Sequence, residues 1–226
     1  MKSSPQSIIR VITRYFKEVK DTYNSPKGIT IVNKQGVWEN LEEALEFLNP
    51  LVDGTQYTKV IGLSTTYKNW VAVFANSVDP SRHYNLGKYL SYKLKTESIN
   101  YLHVDHTLNK DKSGKLTGNY GATQLYIYSQ GEIKRSINLL YDRKWIFSDQ
   151  GSPYMFEQLG RYKLREKRKR FDISLLKLYL AELNLYPFND EFYLVKQADQ
   201  TFGVGMELHD AKVSKLFKNV AIKEIN

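Results

Sequence analysis

The sequence predicts an α+β fold with a mixed, mainly antiparallel sheet built from hairpins, and with helices packed on it. Three observations predict this class. Apolar residues recur at helical spacing in several separated stretches, segments rich in β-branched and aromatic residues lie between them, and short polar turns join those segments. A chain of 226 residues with no internal repeat and no long linker is expected to form a single α+β domain over residues 1–226.

The first predicted element is an amphipathic helix. Ser4 and Pro5 suit its cap and first turn, and its apolar residues share one face: Ile8, Ile9, Ile12, Tyr15, Phe16 and Val19. A short strand is expected at residues 29–32. Asn40 and Glu43 then have the spacing that opens a second helix, which ends at Asn49 and Pro50.

The middle of the chain is predicted to consist mainly of strands. A helix over residues 83–95 separates a hairpin from the later strands, and residues 109–121 are rich in Lys, Ser and Gly, as in a loop. The strands are expected at 57–66, 69–76, 98–104, 122–128, 132–140 and 144–147. One central sheet is expected to contain 69–76, 122–128 and 132–140, with the first helix packed on it.

A third major helix is predicted to begin at Ser152 and Pro153. Its apolar stripe would be Met155, Phe156, Leu159 and Tyr162, with residues 161–171 as its continuation or exit. Asp172 is placed to cap a further helix that ends near Leu183. The last expected elements are short strands at 191–196, 201–207 and 219–222 and a helix over 209–218.

Positive charge is concentrated in one segment, RYKLREKRKRF, at residues 161–171. The net charge of the chain is +9, and this segment supplies two thirds of it with seven basic side chains and one acidic one. Cations at a helix end are favoured by the helix dipole, but like charges on neighbouring turns repel each other, so seven exceed what folding needs. The surplus points to a local interaction surface.

The candidate binding residues are therefore the cations of this segment: Arg161, Lys163, Arg165, Lys167, Arg168, Lys169 and Arg170. Arg161, Arg165, Arg168 and Arg170 are expected to form an exposed patch. An acidic protein partner is the leading hypothesis, because clustered cations speed association with an acidic face. Nucleic acid is the alternative, and it would be helped by exposed aromatic residues near the segment. The sequence leaves the oligomeric state open.

Two of the four histidines lie in the stretch His103-Val104-Asp105-His106. His103, Asp105 and His106 are the metal-ligating candidates that the chain offers. On a strand His103 and Asp105 share one face and His106 lies on the other, so the three converge only if the chain turns there. We therefore expect a polar cluster at a strand end, and no metal or other cofactor.

A metal-dependent nuclease is a third hypothesis. Glu132-Ile133-Lys134 has the Glu-x-Lys form with which many nucleases hold a magnesium ion, and Asp105 could supply a second carboxylate. So short a motif occurs often by chance, and Glu132 directly follows the turn at Gly131. The common hydrolase signatures are absent from the sequence. We therefore expect that the protein is not an enzyme.

The composition is globular, with 42% hydrophobic and 25% charged residues, and the chain contains no cysteine. Arg10 and Arg14 interrupt the apolar pattern near the start, which predicts a soluble, cytoplasmic protein without a membrane segment. In general type the chain resembles stoichiometric binding proteins such as the immunity proteins that neutralise bacterial toxins. The resemblance is one of type, and no family motif or functional residue accompanies it.

Overall fold

The computed structural model describes residues 1–22, 29–34, 38–52, 58–77, 80–196 and 201–208. The helices of these parts are α1 (Pro5–Thr22), α2 (Leu41–Glu46), α3 (Pro80–Leu94), α4 (Leu159–Tyr162) and α5 (Ile173–Glu182), with 3₁₀ turns at Lys167–Lys169 and Asp190–Phe192. The strands are β1 (Ile29–Lys34), β2 (Lys59–Ser64), β3 (Val71–Ala75), β4 (Glu97–Val104), β5 (Asn109–Lys110), β6 (Leu116–Thr117), β7 (Ala122–Ser129), β8 (Glu132–Asp142), β9 (Lys144–Gln150) and β10 (Thr201–Leu208). None of the helices in these parts is long and apolar enough to cross a bilayer.

Two four-stranded sheets and helices packed on them confirm the α+β class. The first sheet has the order β1-β10-β2-β3 and the second the order β4-β7-β8-β9, all pairs being antiparallel. The expected single central sheet is wrong, because β3 lies in the first sheet and β7 and β8 lie in the second. The first sheet is completed by β10 from the far end of the chain, a pairing that local patterns cannot show.

Helices cover both faces of the first sheet. Side chains alternate along β3, so that Val71 and Val73 pack with α1 and α3, whereas Ala72 and Phe74 belong to the core that includes α2. The stripe of α1 is confirmed as its buried face, since Ile8, Ile12 and Phe16 are at most 1% exposed. The predicted hairpin is also confirmed as β2 and β3.

In the second sheet, the strands predicted at 122–128, 132–140 and 144–147 form an antiparallel meander, β7-β8-β9, and β4 is added at one edge. One face carries Leu125, Ile127, Ile137 and Leu139, which form a buried core with α5. The other face receives α3, where the Tyr84 ring lies 4.6 Å from that of Tyr126. Helix α3 therefore covers the same side of both sheets, and α2 and α5 belong to the opposite side.

The two sheets meet edge to edge, β3 opposite β4, and the first two residues connect them. The Val71 amide donates to the Met1 carbonyl at 2.8 Å, and the Lys2 amide donates to the Glu97 carbonyl at 3.0 Å. Met1 and Lys2 thus bond to β3 on one side and to β4 on the other, as a strand between them would. Farther along the two edges, none of the described strands lies between β3 and β4.

The expected third major helix is wrong. Residues 151–158 form turns and irregular backbone, helix is confined to Leu159–Tyr162, and the basic segment continues as turns. The expected strand at 191–196 is also wrong, because Asp190–Phe192 is a 3₁₀ turn and Tyr193 makes only an isolated bridge to Thr65. The strand at 219–222 and the helix at 209–218 lie outside the described residues.

Candidate functional site

A buried ion pair fixes the segment that leads into the basic residues. Arg135 on β8 is 0% exposed, and its guanidinium donates from Nε to Glu157 Oε1 at 2.9 Å and from Nη2 to Oε2 at 2.6 Å. Its Nη1 donates to Asp149 at 2.7 Å and to the Gly151 carbonyl at 3.0 Å. Burial by itself disfavours the charged guanidinium, but the bonds to both carboxylates raise the pKa of Arg135 overall.

One tyrosine hydroxyl and one backbone amide complete the hydrogen bonding of Glu157. The Tyr154 amide donates to Oε1 at 2.9 Å, and the Tyr162 hydroxyl donates to Oε2 at 2.9 Å. Burial and hydrogen bonds to Tyr179 and Glu157 raise the pKa of Tyr162 well above its usual range. Each strong donor and acceptor is paired, so this network holds the backbone of residues 150–162 in one conformation.

This fixed backbone presents apolar side chains to water. Met155 is 105% exposed, and the exposed fractions of Tyr154, Leu159 and Leu164 are 36%, 45% and 39%. Phe156, between Met155 and Glu157, stacks on Tyr154 and contacts Tyr179. We call residues 154–170 the basic loop. Of the four residues on the predicted helical stripe, Met155 and Leu159 are among these exposed side chains, so the stripe is not a buried face.

Two of the seven cations stabilise the basic loop itself. Arg161 is half-buried and donates from Nη2 to the Lys169 carbonyl at 2.8 Å and to the Asp172 carboxylate. Arg170 is also half-buried and donates to the Leu164 carbonyl at 2.7 Å. The expected exposed patch of four arginines is therefore correct for Arg165 and Arg168 only.

The other five cations of the segment are exposed: Lys163, Arg165, Lys167, Arg168 and Lys169. Lys169 pairs with Glu166 at 2.6 Å, and the Arg168 guanidinium lies 6.0 Å from the Trp145 ring centroid. Lys163, Arg165 and Lys167 have no ion pair within the described part of the chain. They are the members of the segment that a partner could use without breaking the loop.

An aromatic cluster adjoins the basic loop through this Arg168–Trp145 contact. The Trp145 ring lies 5.5 Å from Tyr141, which is 4.2 Å from His106 and 6.4 Å from Tyr120. Tyr120 is 53% exposed and the other three rings are half-buried. Trp145 and Tyr141 are cross-strand neighbours on β9 and β8. The whole cluster is not visible in the sequence, because its members come from three separate segments.

The metal candidates do not converge. His103 Nε2 lies 3.2 Å from Asp105 Oδ1, and its Nδ1 lies 3.0 Å from the Thr123 hydroxyl. His106 instead accepts from the Gly121 amide at 3.2 Å and packs on Tyr141. No group of three or more potential metal ligands occurs among the residues that the structure describes.

The nuclease candidates lie at opposite ends of the second sheet. Glu132 pairs with Ser129, which pairs with Glu97 at the start of β4, whereas Asp105 follows Val104 at the end of that strand. The length of β4 separates the two carboxylates by about 23 Å at 3.3 Å per residue. Glu132 and Lys134 are exposed. Asp105, Glu132 and Lys134 therefore form no common site in this conformation.

Comparisons of the chain with protein-family models, with curated proteins and with solved structures give no match.

Proposed function

We propose that this protein is a cytoplasmic, non-enzymatic binding protein of the immunity or inhibitor type, and that the basic loop docks it onto an acidic protein partner. The exposed Met155 carries the proposal. This residue projects entirely into solvent from a backbone that the buried Arg135–Glu157 pair holds in place. A fixed apolar side chain surrounded by cations has the form of an interface anchor with a charged rim.

The fixed backbone favours protein docking on energetic grounds. Ordering a mobile loop at an interface reduces the affinity, whereas residues 154–162 are already held by bonds to Glu157 and Tyr179. Exposed Met155, Leu159 and Leu164 would lose water contact when a partner covers them. Phosphate contacts would not require these apolar groups.

The exposed cations would raise the rate of encounter and select a partner with a negatively charged surface. Lys163, Arg165 and Lys167 are the three that we expect to face acidic side chains, since none has an ion pair in the described structure. Exposed charges raise the association rate and make it dependent on ionic strength. Arg161 and Arg170 would contribute indirectly, by holding the loop.

A site-directed cross-link tests the proposal. A photoreactive benzoylphenylalanine in place of Met155, expressed in the cells of origin, should capture one protein with an acidic surface. Purified partner and wild-type protein should then form a complex at defined stoichiometry. The double reversal Arg165→Glu/Lys167→Glu should slow association by about tenfold and reduce its dependence on salt.

Matched controls separate docking from general charge. Lys110→Glu/Lys112→Glu reverses two exposed cations near β5 and should leave the association rate within about twofold of wild type. Met155→Ala should mainly speed dissociation. Equal association rates for the two double reversals would refute the role of the basic loop.

Nucleic-acid binding is the second candidate, and the aromatic cluster supports it. Tyr120, Tyr141 and Trp145 lie beside Arg168, and aromatic rings next to cations are what single-stranded nucleic-acid binders use. Submicromolar binding to single-stranded oligonucleotides in a gel-shift series at two salt concentrations, lost in Tyr120→Ala and retained in Tyr92→Ala, would place this candidate first. Tyr92 is an exposed tyrosine on α3, outside the cluster.

A further inference from the structure

A cavity of about 310 Å³ lies between the two sheets, where β3 faces β4. Trp70 to Phe74 border it on one side and Ser98 to Leu102 on the other. The order of the second sheet places β4 at one edge and β9, which contacts the basic loop, at the opposite edge. The cavity is therefore separate from the proposed docking surface.

No strand of the described residues runs between β3 and β4, and the cavity occupies that position. Met1 and Lys2 bond to Val71 and Glu97 and so bridge the two edges at one end. Strands are about 4.8 Å apart, so edges joined through one intervening strand are separated by about 9.6 Å. The cavity continues from Met1 along both edges.

Main-chain groups of both edges point into this space. Successive residues of a strand direct their amides and carbonyls to alternate sides. Val71 bonds to Met1, so Val73 directs its amide and carbonyl toward the same side. The Glu97 carbonyl bonds to the Lys2 amide. By the same alternation, Ile99 and Tyr101 also direct their amides and carbonyls away from β7 and toward the cavity.

The two remaining walls are apolar and lie above and below the plane of the sheets. Leu86 and Leu90 of α3 form one wall, and Leu185 and Phe192 form the other. Gly87 allows α3 to lie close to β4, since a Cβ atom there would be 2.1 Å from the Asn100 side chain.

The polar side chains at the cavity bond to protein groups. Asn100 donates to the His83 carbonyl at 2.8 Å and accepts from Ser98 at 3.1 Å, and Tyr84 donates to Gln124. Among the described residues, the lining contains no Asp, Glu, Lys or Arg. Burial lowers the pKa of the Met1 amine, which also borders the cavity, to about 5 and so favours its uncharged form.

We infer that this cavity binds a flat, uncharged heteroaromatic molecule of two or three fused rings, lying in the plane of the sheets. Its faces would pack against the apolar walls, and hydrogen-bonding groups on its rim would pair with the backbone of β3 and β4. A cavity of roughly 150 Å³ holds one benzene ring, so twice that volume suits a fused system. A charged ligand is disfavoured, because it would be buried without a counter-ion.

Lumichrome, an uncharged fluorescent molecule of three fused rings with one imide on its rim, is a suitable probe. It should bind the wild-type protein saturably at one site. Phenazine has three fused rings without the imide, and it should bind about tenfold more weakly because it forms fewer rim hydrogen bonds. Equal affinities would overturn main-chain recognition, and lack of saturable lumichrome binding would overturn the site.

Variants that fill the cavity test whether lumichrome binds inside it. Val73→Phe should weaken lumichrome binding by at least about tenfold, whereas Val32→Phe on β1, outside the cavity, should leave it unchanged. Binding that Val73→Phe does not alter would refute the site. If Val73→Phe fails to fold, amide chemical shifts of the wild type decide the question. Shifts at Val73, Ile99 and Tyr101, with β9 unaffected, support the inference, and the reverse pattern overturns it.

Discussion

Arg135 and Glu157 form a buried ion pair across the boundary between the second sheet and the basic loop. Their closest atoms, Nη2 and Oε2, are 2.6 Å apart, and both side chains are 1% exposed. One partner belongs to a strand and the other to irregular backbone 22 positions later. The pair therefore transmits the rigidity of the sheet to the segment that carries Met155.

Removal of one partner of this pair should be costly. Arg135→Met leaves the Glu157 carboxylate buried without its counter-charge, so we expect urea denaturation to show a loss of about 3–5 kcal/mol in the free energy of unfolding. Arg14→Met removes an exposed partner of Glu18 on α1 and should cost less than about 0.5 kcal/mol. Trypsin should also cleave the basic loop of Arg135→Met faster. A loop equally resistant in both variants would contradict the anchoring role.

The buried face of α1 gives a second prediction. Ile12 is 1% exposed, so Ile12→Asp would place an unpaired carboxylate in the core and should unfold the chain or lower its melting temperature strongly. Arg10→Asp, at an exposed position of the same helix, serves as the control and should remain folded. An unchanged melting temperature of Ile12→Asp in thermal circular dichroism would disprove the packing of this face.

Local sequence patterns were sufficient to predict those elements whose structure depends on their own residues. The stripe of α1, the cap residue Asn40 and the turn between β7 and β8 were all readable, because helical periodicity, capping and turn chemistry act over a few residues. The pairing of β1 with β10 was not readable, since it joins residues near 30 to residues above 200. The division into two sheets follows from that pairing.

For the candidate site, the sequence predicted the charge of the segment but not its conformation, because the conformation depends on a contact between distant residues. The basic segment was visible as composition, but the conformation of residues 152–162 depends on Arg135, which no local pattern connects to Glu157. The helical spacing of Met155 and Leu159 was coincidental. The bonds from Glu157 to the Tyr154 amide and the Tyr162 hydroxyl favour the observed turns over a longer helix.

Alkaline pH should destabilise the protein through its buried tyrosines. Burial, with a smaller effect of Tyr126, raises the pKa of Tyr128 to about 12, against about 10 in an unfolded chain. Because the folded state retains this proton, the contribution is fully present below pH 10 and is lost as pH rises toward 12. Tyr128→Phe should flatten the fall of unfolding free energy between pH 10 and 12. An identical slope in both proteins would contradict the assignment.

The N-cap of α5 offers a matched pair of variants. Asp172 accepts from the Leu175 amide at 2.9 Å and also from Arg161. Asp172→Ala should lower the free energy of unfolding by about 1–2 kcal/mol, whereas Asp172→Asn keeps a side-chain acceptor and should stay closer to wild type. Chemical denaturation measures both. An Asn variant as unstable as the Ala variant would show that the charge, and not the cap, is what matters.

The cations of the basic loop should separate into two groups. Arg161 and Arg170 donate to carbonyls of the loop, so replacing either with Ala should cost about 0.5–1.5 kcal/mol of unfolding free energy. Lys163→Ala and Arg165→Ala remove exposed side chains and should cost less than about 0.5 kcal/mol. The order should reverse for partner association, because the exposed pair would act directly at the interface and the anchored pair only through the shape of the loop. Stopped-flow association rates and urea denaturation of the same four variants supply both rankings. If the unfolding free energy and the association rate fell together in all four variants, the division of the cations into a structural and a binding group would be wrong.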